Sequence, residues 1–499
     1  MNIFKSLKYY LIATIGCIIL NSCNSINSNK NISTTPNVII FIADDISWDD
    51  FGCYGNKQVM TPNIDYLAEN GVIFNNTYLT TSSCSPSRNS IITGRYPHNT
   101  GAAELHTSPP IDMISFPEVL KNNGYYTLQA GKFHMGNYAK RGFSEVHDNK
   151  KINGLGGENY WEKAIINRPK EKPFFMWLAS YDAHRTWGEN KFVNTHNPDE
   201  INVPDYLVDK PMTRKDLADY YDEITRFDFH IGKVVDKLKE QNIYQNTLII
   251  VMSDNGRPFP HSKTRLNDQG VKTPFIIHYP NIHELKGKES NSLISSIDIA
   301  PTIIDLANLE AIKSFQGSSF KNVLLDPKKK FRNYVFAEHN WHDYEAHQRM
   351  VRNDSFLYIV NSRPNFALTG PLDAINSPTF LDLKYALQND QINKKQSEIF
   401  IKPRPSEELY CLHNDPYQFN NLMNSTKVPK VHELLKQKLN EWVSATGDNI
   451  PNTLTKDWYL KKQEPYNQSS LLKTKDFEIR GEMPGKALNA VKNNNKGPF

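Results

Sequence analysis

Three apolar runs limit what this chain can become. They are Asn37–Ala43 (NVIIFIA), Pro173–Ser180 (PFFMWLAS) and Asn246–Met252 (NTLIIVM). None alternates polar with apolar, so each reads as a strand buried on both faces, as in a parallel sheet covered by helices. Each also runs into a polar cluster: Asp44-Asp45, Tyr181-Asp182-Ala183-His184-Arg185 and Ser253-Asp254-Asn255-Gly256. In open α/β sheets, ligands bind at the carboxyl ends of the strands. Two adjacent carboxylates at the end of a buried strand are costly unless a cation neutralises them. Asp44, Asp45, Asp254 and Asn255 therefore read as metal ligands, and an all-oxygen set selects Ca²⁺ or Mg²⁺ over zinc or copper.

Helical patterns separate the strands. Residues 61–71 carry a Pro near the start and a Gly stop. Asp216–Gln241 repeats Leu217, Tyr220, Ile224, Phe227, Ile231, Val234 and Leu238 every three or four positions, which predicts one long packing helix. Ser296–Ala307 predicts a helix over the sheet. Alternating strands and helices across 36–310 predict an α/β, doubly wound domain with helices on both faces. That domain is drawn from 36 to 340. A smaller C-terminal α+β domain follows over 341–465, with strands at Val351–Asn361 and Glu408–Tyr410 and a helix at Val431–Thr446. Residues 466–499 read as a wrapping or disordered tail.

A second constellation lies between the first two runs. Pro86 suits the first turn of a helix over 86–93, where its missing N–H costs nothing. Cys84 then sits at the helix N-terminus, where free N–H groups and the dipole favour an anion. Arg88, one turn further on, shares its face. The predicted strand Tyr125–Ala130 runs into Lys132 and His134, which are two apart and share a face if the strand geometry persists.

Cys84-Ser85-Pro86-Ser87-Arg88, continuing to Thr93-Gly94-Arg95, resembles the signature of type I sulfatases. Gly131-Lys132-Phe133-His134-Met135-Gly136 resembles that family's Gly-Lys-Trp-His-Leu-Gly, with Phe133 in place of Trp. Ser253-Asp254-Asn255-Gly256 matches a third motif. Glu408-Leu409-Tyr410 with Asp415-Pro416 and Asn421-Leu422 resembles the family's C-terminal pattern, with Cys411 and Gln418 replacing acidic residues. Asp182-Ala183-His184-Arg185 and the Asn255–Pro260 run look most like the heparan N-sulfatase (sulfamidase) branch, although Ala183 replaces the usual proline. The resemblance spans residues 36–450 with its motifs in family order.

It implies an alkaline-phosphatase-like fold and a sulfuric ester hydrolase. Cys84 would be oxidised to formylglycine (3-oxoalanine) by a formylglycine-generating enzyme, and would ligate one ion, Ca²⁺ in preference to Mg²⁺. Arg88, Lys132 and Lys263 would hold the sulfate; Lys263 falls where the family places its second sulfate-binding cation. The hydrated aldehyde would attack sulfur, His184 would protonate the leaving atom, and His134 would take the proton of the second hydroxyl. Asp182, Arg185, His339, Asn340 and His342 are candidates for the sugar subsite. The implied substrate is an O-sulfated polysaccharide or its oligosaccharides, for example ulvan. N-sulfoglucosamine of heparan-type glycans is the alternative. A phosphatase of the wider superfamily would need Ser or Thr as nucleophile and usually two metals, which Cys84 and a single oxygen cluster oppose. An inactive glycan-binding lipoprotein should have lost one of the matched groups, and none is missing.

The net charge of +4 is too mild for nucleic acid or a basic membrane patch. Lys5 and Lys8 precede an apolar stretch, Leu11–Leu20, too short to span a bilayer. Leu20-Asn21-Ser22-Cys23 resembles a bacterial lipobox. The expectation is a signal peptide over 1–22, lipidation of Cys23, a polar tether over 23–35 and an extracytoplasmic location. The protein would be anchored to the outer membrane by lipid alone or free in the periplasm, with simple secretion as the alternative. Of five cysteines, Cys53 and Cys411 remain unassigned, and their spacing shows no zinc site.

Overall fold

The computed structural model describes residues 35–188, 192–450 and 490–499. The expected signal peptide, Cys23 and nearly all of the expected tether lie outside the described residues, as does the segment 451–489. Among the described residues, no helix is long and apolar enough to cross a membrane.

Among the described residues, nine strands lie before residue 291: β1 (Asn37–Ala43), β2 (Val72–Phe74), β3 (Thr77–Tyr78), β4 (Tyr126–Gly131), β5 (Glu145–His147), β6 (Phe174–Ala179), β7 (Thr247–Ser253), β8 (Phe275–His278) and β9 (Lys288–Ser290). All but β3 form one sheet in the order β5-β4-β6-β1-β7-β8-β2-β9. The three apolar runs are its centre. β1 lies between β6 and β7, parallel to both, with Ile42 opposite Ala179 and Met252. β4 adds to β6 in parallel, pairing Gly131 with Ala179. The carboxyl ends of four strands thus come to one edge. β8 is antiparallel to both β7 and β2, so the sheet is mixed at that side.

Both faces of the sheet are covered. Ile39, Phe41 and Ala43 of β1 join an apolar cluster with helix residues such as Trp161 and Phe227. Val38, Ile40 and Ile42, which alternate with them, are equally buried. On their side Phe175 meets Phe116, with ring centroids 4.9 Å apart. The helices used below are α1 (Pro62–Glu69), α2 (Cys84–Thr93), α3 (Trp161–Asn167), α4 (Pro211–Glu240), α5 (Ile299–Leu306), α6 (Pro378–Gln388) and α7 (Pro429–Thr446). All seven residues of the predicted stripe of α4 are buried. The helix begins five residues earlier than its apolar pattern because Pro211 sits in its first turn and Asp382 caps the Thr213 N–H at 3.0 Å.

Short β10 (Ile294–Ser295) pairs with β3. The second sheet is antiparallel: β11 (Val335–His342), β12 (Tyr344–Arg352), β13 (Phe356–Asn361) and β14 (Glu407–Cys411). It opens at Val335, within the span drawn to 340. α7 covers it with Leu435, Leu439 and Trp442, and Trp442 stacks on Phe336 at 5.3 Å. Between β13 and β14 the chain returns to the first domain through a helical turn at Leu372–Ile375 and through α6, which packs on α4. The last ten residues form a strap near the end of α2. Arg95 donates to the carbonyls of Val491 and Asn493 at 2.8 and 2.9 Å.

Candidate active site

The sheet edge delivers the carboxylates. Asp44 and Asp45 follow β1 directly and are fully buried. Asp45 adopts φ 61°, a left-handed conformation that Asp tolerates. That reversal lets neighbours, which would diverge along an extended strand, serve one cluster. Oxygens of Asp44, Asp45 and Asp254 and the Cys84 sulfur lie within 4.8 Å of one another. The backbone locks the edge together: the Asp44 N–H donates to the Asp182 carbonyl at 2.7 Å, and the Asp254 N–H to the Ala43 carbonyl at 3.1 Å.

α2 starts at Cys84, two residues before Pro86, and every residue of it is buried. The Ser87 N–H makes the bond to Ser83 at 2.9 Å that closes the first turn. Cys84 Sγ lies 3.9 Å from Asp45 Oδ1. Burial pushes its thiol well above the ordinary cysteine range, so the unmodified side chain is no thiolate.

Three cations face the carboxylates. Arg88 donates to Asp254 at 2.7 Å and to the Lys132 carbonyl at 3.1 Å, and its Nη2 is buried without a hydrogen-bond partner. Lys132 pairs with Asp44. Lys263 is bound to both Asp45 and Asp373 at 2.7 Å. Burial opposes the charge on Lys263, but Asp373 and Asp45 overcome it and hold the ammonium well above the lysine range. Burial pushes Asp45 and Asp254 up to about 7, against the pull of Lys263 and Arg88 respectively. Burial acts on Asp44 too, yet Lys132, His184 and Arg88 together hold it well below the usual carboxylate range.

A cavity of about 950 Å³ opens onto this cluster. Cys84, Lys132, His134, His184, Arg185 and His342 line it, so the structure brings these expected residues to one wall. His184 hydrogen-bonds the Arg185 carbonyl through Nδ1 and turns Nε2 toward Asp373 and Asp45, at 3.5 and 3.9 Å. Burial and the Lys263 charge lower it to about 4. Arg185 is held by Asp216 in two bonds of 2.6 and 2.7 Å and stacks between Trp187 and Phe259, 4.6 Å from each ring. His342 Nδ1 meets Ser83 Oγ at 2.8 Å.

Asp182 and His339, expected at the sugar subsite, do not line the cavity. Asp182 is buried against Arg226, whose Nε donates to it at 2.7 Å, because a carboxylate under the sheet edge needs a cation of its own. His339 is buried within β11. Asn340 donates to Glu338 and stays inside the second sheet. Three lining residues carry no signal in the sequence: Asp373, His106 and Trp187. Asp373 arrives on the loop between β13 and β14, 110 residues from Lys263, and no periodicity marks it. A larger cleft of about 1390 Å³ beside α7 is lined by surface lysines, glutamates and asparagines and shares no residue with this cavity.

The carboxylate cluster fits a divalent cation. Asp44 Oδ1 and Asn255 Oδ1 are buried acceptors with no hydrogen-bond partner, and the neighbouring ligand atoms are carboxylate oxygens and the Cys84 sulfur. Buried acceptors left unsatisfied cost about 1–3 kcal/mol each, more when charged. A hard cation at Asp44, Asp45, Asp254 and Asn255 removes that cost.

Comparison with known proteins agrees with this geometry. A family model described as Sulfatase matches residues 36–309, and one described as N-sulphoglucosamine sulphohydrolase, C-terminal, matches residues 261–361. An ulvan-active sulfatase of Formosa agariphila is 27% identical over 491 residues, covering 86% of this chain and 79% of that protein. The human N-sulphoglucosamine sulphohydrolase is 28% identical over 459 residues, covering 83% and 90%. A solved structure, described as a complex with its substrate D-glucosamine-2-N,6-O-disulfate, superposes with a TM-score of 0.64 at 21% identity. It covers 82% of this chain and 98% of that one, a likeness of fold. With the Sulfatase match spanning the domain that holds the whole carboxylate edge, this chain belongs to the sulfatase family.

Proposed function

We propose that this cavity hydrolyses sulfate esters on a sulfated polysaccharide or its oligosaccharides, with ulvan-type glycans as the first candidates. Cys84, matured to formylglycine by a formylglycine-generating enzyme, supplies the attacking hydroxyl as its hydrate. Asp44, Asp45, Asp254 and Asn255 hold one Ca²⁺, with residue 84 beside it; Ca²⁺ is preferred to Mg²⁺ because four protein oxygens exceed what Mg²⁺ usually takes. When bound, the ion withdraws charge from a sulfate oxygen.

The observation that carries this reading is the charge balance at the cavity floor. Arg88, Lys132 and Lys263 face four carboxylates: Asp44, Asp45, Asp254 and Asp373. One negative charge is left over. A divalent ion and a monoanionic sulfate ester together bring the sum to zero. A doubly charged phosphate monoester would leave an excess negative charge, which favours sulfate.

Each side chain then has a task. Lys132 and Lys263 lie against the two carboxylates that the ion would draw away, and are freed to hold sulfate oxygens. Arg88 fixes Asp254 and keeps Nη2 for the anion. His184 donates its Nδ1–H to the Arg185 carbonyl, which leaves Nε2, beside Asp373, to take up a proton and pass it to the leaving oxygen. His134 receives the proton given up at residue 84. Arg185, Trp187 and His342 border the space left for the sugar.

A second reading keeps the mechanism and changes the leaving atom to nitrogen, as in N-sulfoglucosamine. The match of residues 261–361 to the C-terminal model of N-sulphoglucosamine sulphohydrolase and the human relative support it. We place O-sulfated polysaccharide first because the ulvan-active relatives resemble this chain equally well and the N-terminus suits a lipid-anchored or periplasmic scavenging enzyme, with Cys23 as the lipidated residue. The test is to incubate the matured enzyme with defined ulvan and heparan oligosaccharides and with paired aryl sulfate and aryl phosphate. Sulfate released from ulvan is the expected result. Release from the heparan N-sulfate alone favours the second reading, and phosphate release without sulfate release rejects both.

A further inference from the structure

We infer that His106 is a positioning residue for His134: it accepts the His134 Nε2–H, fixes that tautomer and so leaves Nδ1 as the basic atom. This rests on the proposed role of His134 and adds to it the group that sets its chemistry. His106 Nδ1 lies 2.8 Å from His134 Nε2, with ring centroids 4.9 Å apart and planes inclined by 40°. A nitrogen–nitrogen contact that short holds one proton, so one ring must donate and the other accept. Which ring nitrogen carries the proton is set by the bond the other nitrogen makes.

The surroundings choose the direction. His134 Nδ1 is buried and without a hydrogen-bond partner. An N–H there would lack an acceptor, and the charges acting on this ring come chiefly from Lys132, His106 and Arg88, with Asp44 opposing. Nδ1 is therefore the unprotonated atom, and Nε2 carries the hydrogen toward His106. Burial, together with Lys132, also keeps the His134 ring neutral, as a base must be before it acts.

His106 is built into place. Its backbone N–H donates to Ser85 Oγ at 2.8 Å, so the residue after Cys84 anchors it. Its φ of 64° is left-handed, a conformation uncommon outside Gly although His adopts it more readily than most residues, and its side chain lines the cavity. An irregular residue held over a functional ring by the nucleophile's own helix is poorly explained by packing, because His106 is exposed.

Two measurements test this. In protein labelled with ¹⁵N-histidine and carrying Cys84→Ser, the ring nitrogens of His134 should report Nε2 protonated and Nδ1 bare. H106G, which suits a left-handed backbone, should erase that preference. The opposite tautomer, or a pattern unchanged by H106G, overturns the inference. In matured enzyme, H106G should lower kcat about 10- to 100-fold, part of the 10²–10⁴ that a general base contributes. KM should change less than about threefold, because the sulfate-binding cations are untouched. H106N, which also tolerates the backbone and can accept one bond, should recover part of the loss, as should added imidazole with H106G. A change in kcat below twofold, or a loss that neither H106N nor imidazole restores, rejects the role. If wild type releases no sulfate, the proposed reaction fails, while the nitrogen spectrum still decides the tautomer.

Discussion

Two buried acidic clusters in this molecule look alike by composition and differ in every physical respect. Asp44, Asp45 and Asp254 gather with Cys84 at the sheet edge; Glu338 and Asp448 gather with His98 where the second sheet meets the first domain. In the second cluster each carboxylate oxygen has a donor. Arg349 clasps Asp448 at 2.5 and 2.9 Å, His98 donates to Glu338 through its backbone and through Nδ1 at 2.9 and 2.8 Å, and Asn340 takes the remaining oxygen at 3.0 Å. Burial opposes ionisation of Glu338, yet His98 and Arg349 bring it down to about 2. In the first cluster Asp44 Oδ1 and Asn255 Oδ1 are orphaned, and Asp45 and Asp254 sit near 7. Proximity of carboxylates is therefore a poor sign of a metal site. Unsatisfied acceptors and raised carboxyls are the better one, since a guanidinium has already done in the second cluster what a cation must do in the first.

The sharpest way to break this contrast is to remove one ligand from each. Asp254→Ala should lower kcat/KM by at least about 10³, since it removes a proposed ion ligand and the anchor of Arg88, and electrostatic groups of this kind are each worth 10²–10³. Thermal unfolding without metal should fall less than in Arg349→Met, because the carboxylate removed, held near 7, was itself an unfavourable buried charge and Arg88 keeps Asp44 at 3.8 Å as a partner. Cys84→Ser should likewise reduce turnover to background with the fold intact, as read by steady-state sulfate release and circular dichroism. Wild-type turnover by either variant dissolves the assignment of the first cluster.

Arg349→Met should do the reverse. It leaves Asp448 and Glu338 buried with one donor set gone, which costs about 3–5 kcal/mol. Denaturant midpoints should fall accordingly, while the fraction still folded keeps near-normal kcat. A variant as stable as wild type means that the second cluster is not held by its guanidinium. Added Ca²⁺ separates the clusters again: at about 100 times its Kd it should stabilise wild type by about 2.7 kcal/mol. It should do so for Arg349→Met as well, but not for Asp254→Ala, in a titration followed by thermal melting.

The first cluster was largely legible in the sequence, and the second was not. Asp44, Asp45, Lys132, His184, Asp254 and Asn255 stand immediately or a few residues after buried strands, so parallel topology alone carries them to one edge. Cys84 and Arg88 were placed by spacing within one motif, and Lys263 only by resemblance to the family. Asp373 and His106 escaped because the first comes on a single helical turn and the second on an irregular loop, both too short for a period of 2 or 3.6 to show. Glu338, Arg349 and Asp448 escaped because charged residues in β11, β12 and after α7 read as solvated until the packing of α7 against the sheet is known. Asp182 and His339 were drawn toward the sugar by their neighbours in sequence, yet Arg226 claims the first and β11 encloses the second.

The smallest expected effect concerns pH, and it distinguishes the clusters by window. Burial lowers the His98 pKa, but Glu338 and Asp448 outweigh it and raise the ring above its usual 6.5. The folded state then binds the proton more tightly than the unfolded chain. Its contribution is complete below about pH 6.5 and disappears as pH rises through the folded value, with about 1.4 kcal/mol for each tenfold difference in proton affinity between the two states. Asp45 and Asp254 also hold protons too tightly in metal-free protein, so they cost stability as pH climbs from about 3.8 to about 7. The contributions of these two clusters therefore both decline with rising pH, in adjoining windows. Melting curves from about pH 4 to about pH 9 should show Ca²⁺ flattening the lower window alone and His98→Gln flattening the upper one alone. A single slope that responds to both changes would mean that the two clusters titrate as one.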